Sequence, residues 1–195
     1  MIIDLKSIPY YWINLDEHTE NAKAMESQFA AYGIKDHTRI AGIRDSVHYI
    51  GVGKSHIKAM KTALERDIFP CVILEDDAKL SGWEKQYVKI DDNVDGLYLG
   101  ISTAGTVKYE RQNSDFSKIQ GMLAAHAICY IKKPYITEMK NICAWCIYTQ
   151  NVPWDLGSAK LQEKYNVWCC NDPYYYQANE RQSANKWESL TNKSV

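Results

Sequence analysis

The 195-residue sequence has no apolar run long enough to cross a bilayer, so no membrane-spanning helix is expected. The opening stretch, MIIDLKSIPYYWINL, is apolar but broken by Asp4, Lys6 and Pro9. It lacks the continuous apolar segment of a secretory signal. Neither sign of charge is in excess: 23 Lys and Arg stand against 24 Asp and Glu, leaving a net charge of −1. Nothing therefore points to broad electrostatic binding of nucleic acid or of an anionic membrane surface. Internal repeats and low-complexity tracts are also missing, which argues against a solenoid or a disordered chain.

What is present is ordinary globular material. Apolar residues make up 46% and charged residues 24% of the chain, enough for a real core. The length suits one domain over residues 1–195, with a polar, loosely held tail from about 178. Six cysteines, Cys71, Cys129, Cys143, Cys146, Cys169 and Cys170, are expected as free thiols in the absence of a secretory signal. Cys143 and Cys146 form a C-x-x-C, but adjacent Cys169 and Cys170 would complete a tetrahedral zinc site awkwardly, so zinc is not expected. Six Trp and fourteen Tyr offer rings that serve a core or a sugar platform equally well.

The first half alternates. Residues 8–15, IPYYWINL, read as a strand, and Asp16 is placed to cap the helix that follows, with Ala22, Met25, Phe29 and Tyr32 on one face and Gly33 at its end. Residues 36–43 read as a second strand. Ser55 is placed to cap a second helix carrying Ile57, Met60 and Leu64, and the strand at 71–74 follows Pro70. This β-α-β-α-β order predicts an α/β sandwich whose central sheet is mainly parallel and covered by helices on both faces. In such sheets ligands sit beyond the carboxyl ends of the strands, where Asn14, Ala41–Gly42 and Glu75–Asp77 fall. Later, 96–102 and 122–131 read as strands, 106–119 as a polar hairpin or loop, and helices are expected near 135–147 and from Asp155.

The apolar run Val72-Ile73-Leu74 ends in Glu75-Asp76-Asp77. Three adjacent acids repel one another, and a cation would balance them. One reading is the acid of a P-loop NTPase, which Gly53-Lys54-Ser55 invites; but the P-loop pattern needs a glycine at 48, and His48 stands there. The better reading is a metal-holding motif of a nucleotide-sugar transferase, because a hard divalent ion neutralises a diphosphate leaving group. Asp77 and Glu75 are the metal candidates, with Glu75 or Asp76 also available to the ribose or donor sugar. A surface acid cluster is the plain alternative.

The pieces W-I-N-L-D at 12–16, Met25, R-I-A-G-I at 39–43, GVGKSHIKAM at 51–60 and I-L-E-D-D at 73–77 together resemble the glycosyltransferases of family 25, the lipopolysaccharide-type sugar transferases. VPWD at 152–155 is similar to that family's proline-x-aspartate segment, and Pro173, Gln177 and Ser183 echo its closing residues. The sequence is also similar to capsid-glycosylating transferases of large algal viruses. It departs from the family pattern at the first helix, where the usual arginine is replaced by Glu17, His18 and Thr19. It departs again at Gly42, which takes the last place of R-I-x-A, and at Val52, where a cysteine is common.

The resemblance implies a GT-A fold, Mn²⁺ or Mg²⁺ as cofactor, a nucleotide sugar (expected to be a UDP-sugar) as donor, and a glycan or glycoprotein as acceptor. The expected place of work is the cytoplasm, that of the host if the chain is viral. By position, Asn14, Ala41, Gly42 and Asp45 are expected at the nucleobase and ribose. Ser55 and His56 are expected at a helix start, His56 reaching the donor phosphate. Asp155 is expected to act on the acceptor hydroxyl, or else merely to cap its helix. Trp154 is a candidate stacking platform, and His126, inside an apolar run, reads as a core histidine. A non-catalytic carbohydrate-binding module is the alternative from another class.

Overall fold

The structure is a computed structural model that describes residues 1–177 apart from positions 83 and 103. The expected polar tail from 178, and with it Ser183, lies outside the described residues.

Strand β2 (Tyr10–Asn14) is buried along its whole length. Its side chains alternate between two cores, as a strand's must. Tyr10 and Trp12 enter one cluster, and Tyr11 and Ile13 the other. The same division holds in β4 (Cys71–Glu75): Val72 and Leu74 join the first cluster, Cys71 and Ile73 the second. A sheet buried on both faces needs a layer on each. Helix α1 (Thr19–Tyr32) covers the first with Met25 and Phe29, the Phe29 ring lying 5.9 Å from Tyr10 and 6.0 Å from Trp12. Helix α2 (His48–Arg66) covers the second with Ile57, Met60 and Ala63, joined by α3 (Lys133–Trp145), a π-helical turn Cys146–Gln150, and α4 (Asp155–Lys164). Gly33 ends α1 at φ +80°, a conformation open to glycine, and its N–H donates to Phe29 O.

The main sheet has the order β3-β2-β4-β10-β7-β11-β9-β8, adding β3 (His37–Ala41), β10 (Ala127–Tyr130), β7 (Gly96–Tyr98), β11 (Val167–Cys170), β9 (Phe116–Gln120) and β8 (Lys108–Arg111). Among the described residues, β2–β3, β2–β4 and β7–β11 pair in parallel, while β4–β10, β10–β7, β11–β9 and β9–β8 pair antiparallel. The sheet is thus mixed, not mainly parallel. Alternating β-α units build only its first three strands, and beyond them β10 enters in reverse. The anticipated strand 122–131 shrinks to β10, because residues 122–126 turn aside as a loop. Two small ladders, β1 (Ile2–Asp4) with β6 (Tyr87–Lys89) and β5 (Ala78–Leu80) with β12 (Tyr175–Gln177), add further cover. Among the described residues, no helix is long and apolar enough to cross a membrane.

Two helix starts differ from expectation. α1 begins at Thr19 without a side-chain cap, since Asp16 is drawn to Arg39 at 2.6 Å. α2 begins at His48, two turns before Ser55. The Ser55 hydroxyl donates to Gly51 O (2.7 Å) and accepts from Ile43 N (2.8 Å), so it fastens the β3–α2 loop instead of capping. All six cysteines are free and buried. Cys169 and Cys170 point into opposite cores, as neighbours on a strand do, so they cannot jointly complete a site with Cys143 and Cys146.

Phe29 is the largest side chain that α1 inserts between Tyr10 and Trp12, and it is 1% exposed. Phe29→Ala is expected to lower stability by about 3–5 kcal/mol, measured by urea denaturation. A loss below about 1 kcal/mol would mean that α1 is not seated as described.

Candidate active site

The parallel strands β2, β3 and β4 deliver their carboxyl ends to one edge of the sheet, with Asn14 opposite Ala41 and Ile13 opposite Glu75. Because β10 runs antiparallel to β4, its entry residue reaches the same edge. The Glu75 N–H donates to His126 O at 2.9 Å. A groove opens here in two lobes. The larger, about 600 Å³, is lined by Asn14, His18, Ser55, His56, Asp76 and Asp77, among others. The smaller, about 270 Å³, is lined by Tyr49, Ser102, Leu123, His126, Trp154 and Asp155, among others. His48, Val52, Glu75 and Gln177 border both lobes, which makes them one continuous cleft with Glu75 at the join.

Each acid of Glu75-Asp76-Asp77 is held differently. β4 ends at Glu75, and Asp76 and Asp77 lie in the turn that follows, so the three are not fanned by strand alternation. Glu75 Oε1 accepts from His56 Nε2 at 2.9 Å, and Oε2 receives a longer contact of 3.5 Å from the Gln177 amide. Burial opposes charge on Glu75, but the His56 hydrogen bond and the fields of His56, His126 and His48 outweigh it and hold the carboxyl below its ordinary range. Asp76 Oδ2 accepts from Asn14 Nδ2 at 2.6 Å, with His18 Nδ1 at 3.5 Å. Asn14 is fully committed within the protein, since its Nδ2 also donates to His18 O and its Oδ1 accepts from Arg39 Nε.

Asp77 is supported less fully. Its Oδ1 is buried without a hydrogen-bond partner among the described residues. Desolvation, then repulsion from Glu75 and Asp76, push its carboxyl up to about 7, against a hydrogen bond from Gln177 that pulls it down. Asp155 repeats the pattern on the far side of the cleft. Its Oδ1 is buried without a hydrogen-bond partner among the described residues, and burial, with Glu75 adding repulsion, raises its pKa. Asp155 is the first residue of α4, one place after the N-cap position held by Trp154, and backbone N–H groups of Asp155 and Leu156 at the helix start act against the rise.

Of the residues singled out in the sequence, Asn14, Ser55, His56, Glu75, Asp76, Asp77 and Asp155 meet in the cleft. Ala41, Gly42 and Asp45 are absent from its lining. Ala41 O accepts from Lys58 Nζ (3.0 Å), Gly42 N donates to Asn14 O (2.9 Å), and Asp45 pairs with Lys54 (2.7 Å). His56 is not at a helix start: it sits mid-α2, 1% exposed, so a helix N-terminus does not aim it at a phosphate. Gly53, Lys54 and Ser55 are likewise inside α2, with no loop to wrap a phosphate, which removes the P-loop reading. Trp154 is 3% exposed and packs on the His56 ring at 4.6 Å between centroids, so it is no open sugar platform.

Sequence reasoning missed His18 and His48 and gave His126 only a core role. His126 is indeed buried, and desolvation lowers its pKa, yet it borders the cleft. Position 48 drew notice only for its missing glycine.

No family model and no curated protein matches the sequence. Among solved structures the chain is similar to a nucleoside-diphosphate-sugar pyrophosphorylase from Vibrio cholerae RC9, at 12% identity and TM-score 0.46, covering 84% of this chain and 72% of that one. It is similar to a glycosyltransferase involved in the glycosylation of the major capsid of PBCV-1, at 8% identity and TM-score 0.49, covering 89% and 93%. It is also similar to the CTP:phosphocholine cytidylyltransferase of Streptococcus pneumoniae, at 10% identity and TM-score 0.45, covering 88% and 93%.

The raised Asp77 fixes a pH dependence for the ion-free protein. Between the unfolded value near 3.8 and the folded value of about 7, the folded state holds a proton that the unfolded state has lost. Stability from this group is therefore complete below about pH 3.8 and is lost as pH rises toward 7. Asp77→Asn mimics the protonated acid. It is expected to melt above the parent at pH 8, with the gap closing toward pH 5, by calorimetry in a chelating buffer. A gap that is absent at pH 8, or that widens at pH 5, would contradict the assignment.

Proposed function

We propose that this protein is a divalent-cation-dependent glycosyltransferase of GT-A type, moving a sugar from a nucleotide sugar, a UDP-sugar in the first instance, to a hydroxyl of a glycan or glycoprotein. One observation carries the reading: Asp77 and Asp155 line opposite lobes of one cleft, and each carries a buried carboxylate oxygen without a hydrogen-bond partner among the described residues. An unsatisfied buried acceptor costs about 1–3 kcal/mol, and such groups ask for an explanation. A cation at Asp77 and a hydroxyl at Asp155 would answer both. The motif order shared with glycosyltransferase family 25 supports the same reading.

The residues fit an ion that arrives with its ligand. Among the described residues, no three His, Cys, Asp or Glu side chains gather to hold a metal alone. Mg²⁺ and its analogues commonly take one or two carboxylates and complete their shell with substrate phosphates and water. Among the described residues Asp77 Oδ1 has no partner and Glu75 Oε2 has only the long Gln177 contact, so these are the two oxygens for the ion. When bound, the ion would neutralise charge on the departing diphosphate. Asn14 and His18 fix Asp76 beside the larger lobe, where the nucleotide is accommodated. Asp155, with its raised pKa, takes the acceptor hydroxyl's proton if the sugar inverts, and orients that hydroxyl if configuration is retained. A carbohydrate-binding module without catalysis gains no support from a Trp154 that is buried.

Asp155→Asn is expected to keep nucleotide affinity within a few-fold and to cut turnover by roughly 10²–10⁴. The measurement is a UDP-release assay over a panel of nucleotide sugars and acceptor glycans, with binding followed separately. Parent-like turnover in the variant would take Asp155 out of the chemistry. No turnover by the parent with any donor, alongside binding of free glycan, would favour the binding module.

A further inference from the structure

The cleft has a bridge across it that no ligand makes. His56 is 1% exposed in the middle of α2 and lines the larger lobe, while Trp154, packed on its ring, lines the smaller. Its Nε2 lies 2.9 Å from Glu75 Oε1. An ionised carboxylate can only accept, so Nε2 carries the proton and donates it. The face of the same imidazole packs against Trp154, with centroids 4.6 Å apart and planes inclined at 44°. Trp154 immediately precedes α4 and is followed by Asp155, the residue with the unpartnered oxygen in the second lobe. The remaining ring nitrogen, Nδ1, is buried with no partner among the described residues. The ring's Glu75 bond and Trp154 contact are therefore what the structure shows fixing it.

Resting on the glycosyltransferase reading, we propose that His56 is the positioning residue of the transfer step: one ring fixes the Glu75 carboxylate on the donor side and, through Trp154, the Asp155 carboxylate on the acceptor side. Transfer requires the two sides to keep a fixed separation, and misplacement by about 1 Å can cost 10²-fold in rate. α2 is a suitable place for such a part. Its seat is set by close approaches at Gly51 and Gly53, where an added Cβ would lie 2.6 Å from Ile43 O and 2.6 Å from Ile147 Cγ2. In this account His56 holds Glu75 rather than the transferred group, so its loss lowers turnover far more than it weakens nucleotide affinity.

The two contacts can be separated by substitution. His56→Phe retains a ring under Trp154 but offers Glu75 no donor. His56→Gln retains a donor but no ring. His56→Ala removes both. Three quantities are measured on each: affinity for UDP with Mn²⁺, turnover, and amide hydrogen exchange of the segment 152–161. For His56→Ala the expected result is turnover lower by about 10²-fold, UDP affinity within a few-fold, and faster exchange at the start of α4. His56→Phe should restore the exchange protection without full turnover, and His56→Gln should leave exchange fast. The alanine variant removes a buried ring and with it fold stability, so the Phe and Gln variants decide on their own. The proposal is overturned if 152–161 exchanges as in the parent in His56→Gln, or if turnover and UDP affinity fall together. If the parent transfers no sugar at all, the functional reading fails, and the exchange data alone then judge whether the bridge exists.

Discussion

Glu75 stands where β4 leaves the core, and a carboxylate there keeps its charge because His56 donates to it from α2. The surroundings depend on this pair. It ties the parallel strands β2 and β4 to the helix layer at the edge where they end, and it places a fixed negative group between two others. The neighbours respond in opposite ways. Glu75 is held below the usual carboxylate range, while Asp77 and Asp155 are pushed above it, in part by Glu75 itself. A set of acids whose environments separate their pKa values is a common feature of catalytic sites.

The reversal of β10 matters as much as the carboxylates. Had β10 run parallel to β4, its carboxyl end would lie at the cleft and its entry loop at the far side. Running antiparallel, it brings His126 against Glu75 and lays residues 123–126 along the smaller lobe. That loop is anchored from α4, where the buried Gln162 side chain accepts from Met122 N and donates to Met122 O, both at 2.9 Å. Gly100 completes the wall, because a Cβ there would run into the His126 ring. The two lobes thus follow from a break in parallel pairing.

The β-α-β-α-β half was legible because its elements are long and periodic: Met25 and Phe29, and Ile57 and Met60, repeat at helical spacing and land in the cores. The acidic end of β4 was legible for the same reason, since an abrupt passage from apolar to acidic residues marks a strand end. Three-residue strands such as β1, β5, β6 and β12 carry too few side chains to show a period. Ser55 misled because a hydroxyl ahead of an apolar helical face has the signature of a cap, whereas here tertiary contacts to Gly51 and Ile43 claim it. The His56–Glu75 pair joins residues 19 positions apart on a helix and a strand, and no local pattern announces it. Trp154 looked like a platform because composition reports aromatic rings but not their exposure.

The central claim is that the unpartnered oxygen of Asp77 awaits a cation that arrives with a nucleoside diphosphate. Calorimetric titration of UDP into the protein tests it most directly, run with Mn²⁺, with Mg²⁺ and with chelator, on the parent and on Asp77→Asn. The account predicts UDP binding that needs the divalent ion in the parent and is lost in Asp77→Asn. Equal UDP affinity with chelator, or Mn²⁺-dependent binding that survives in Asp77→Asn, would contradict it.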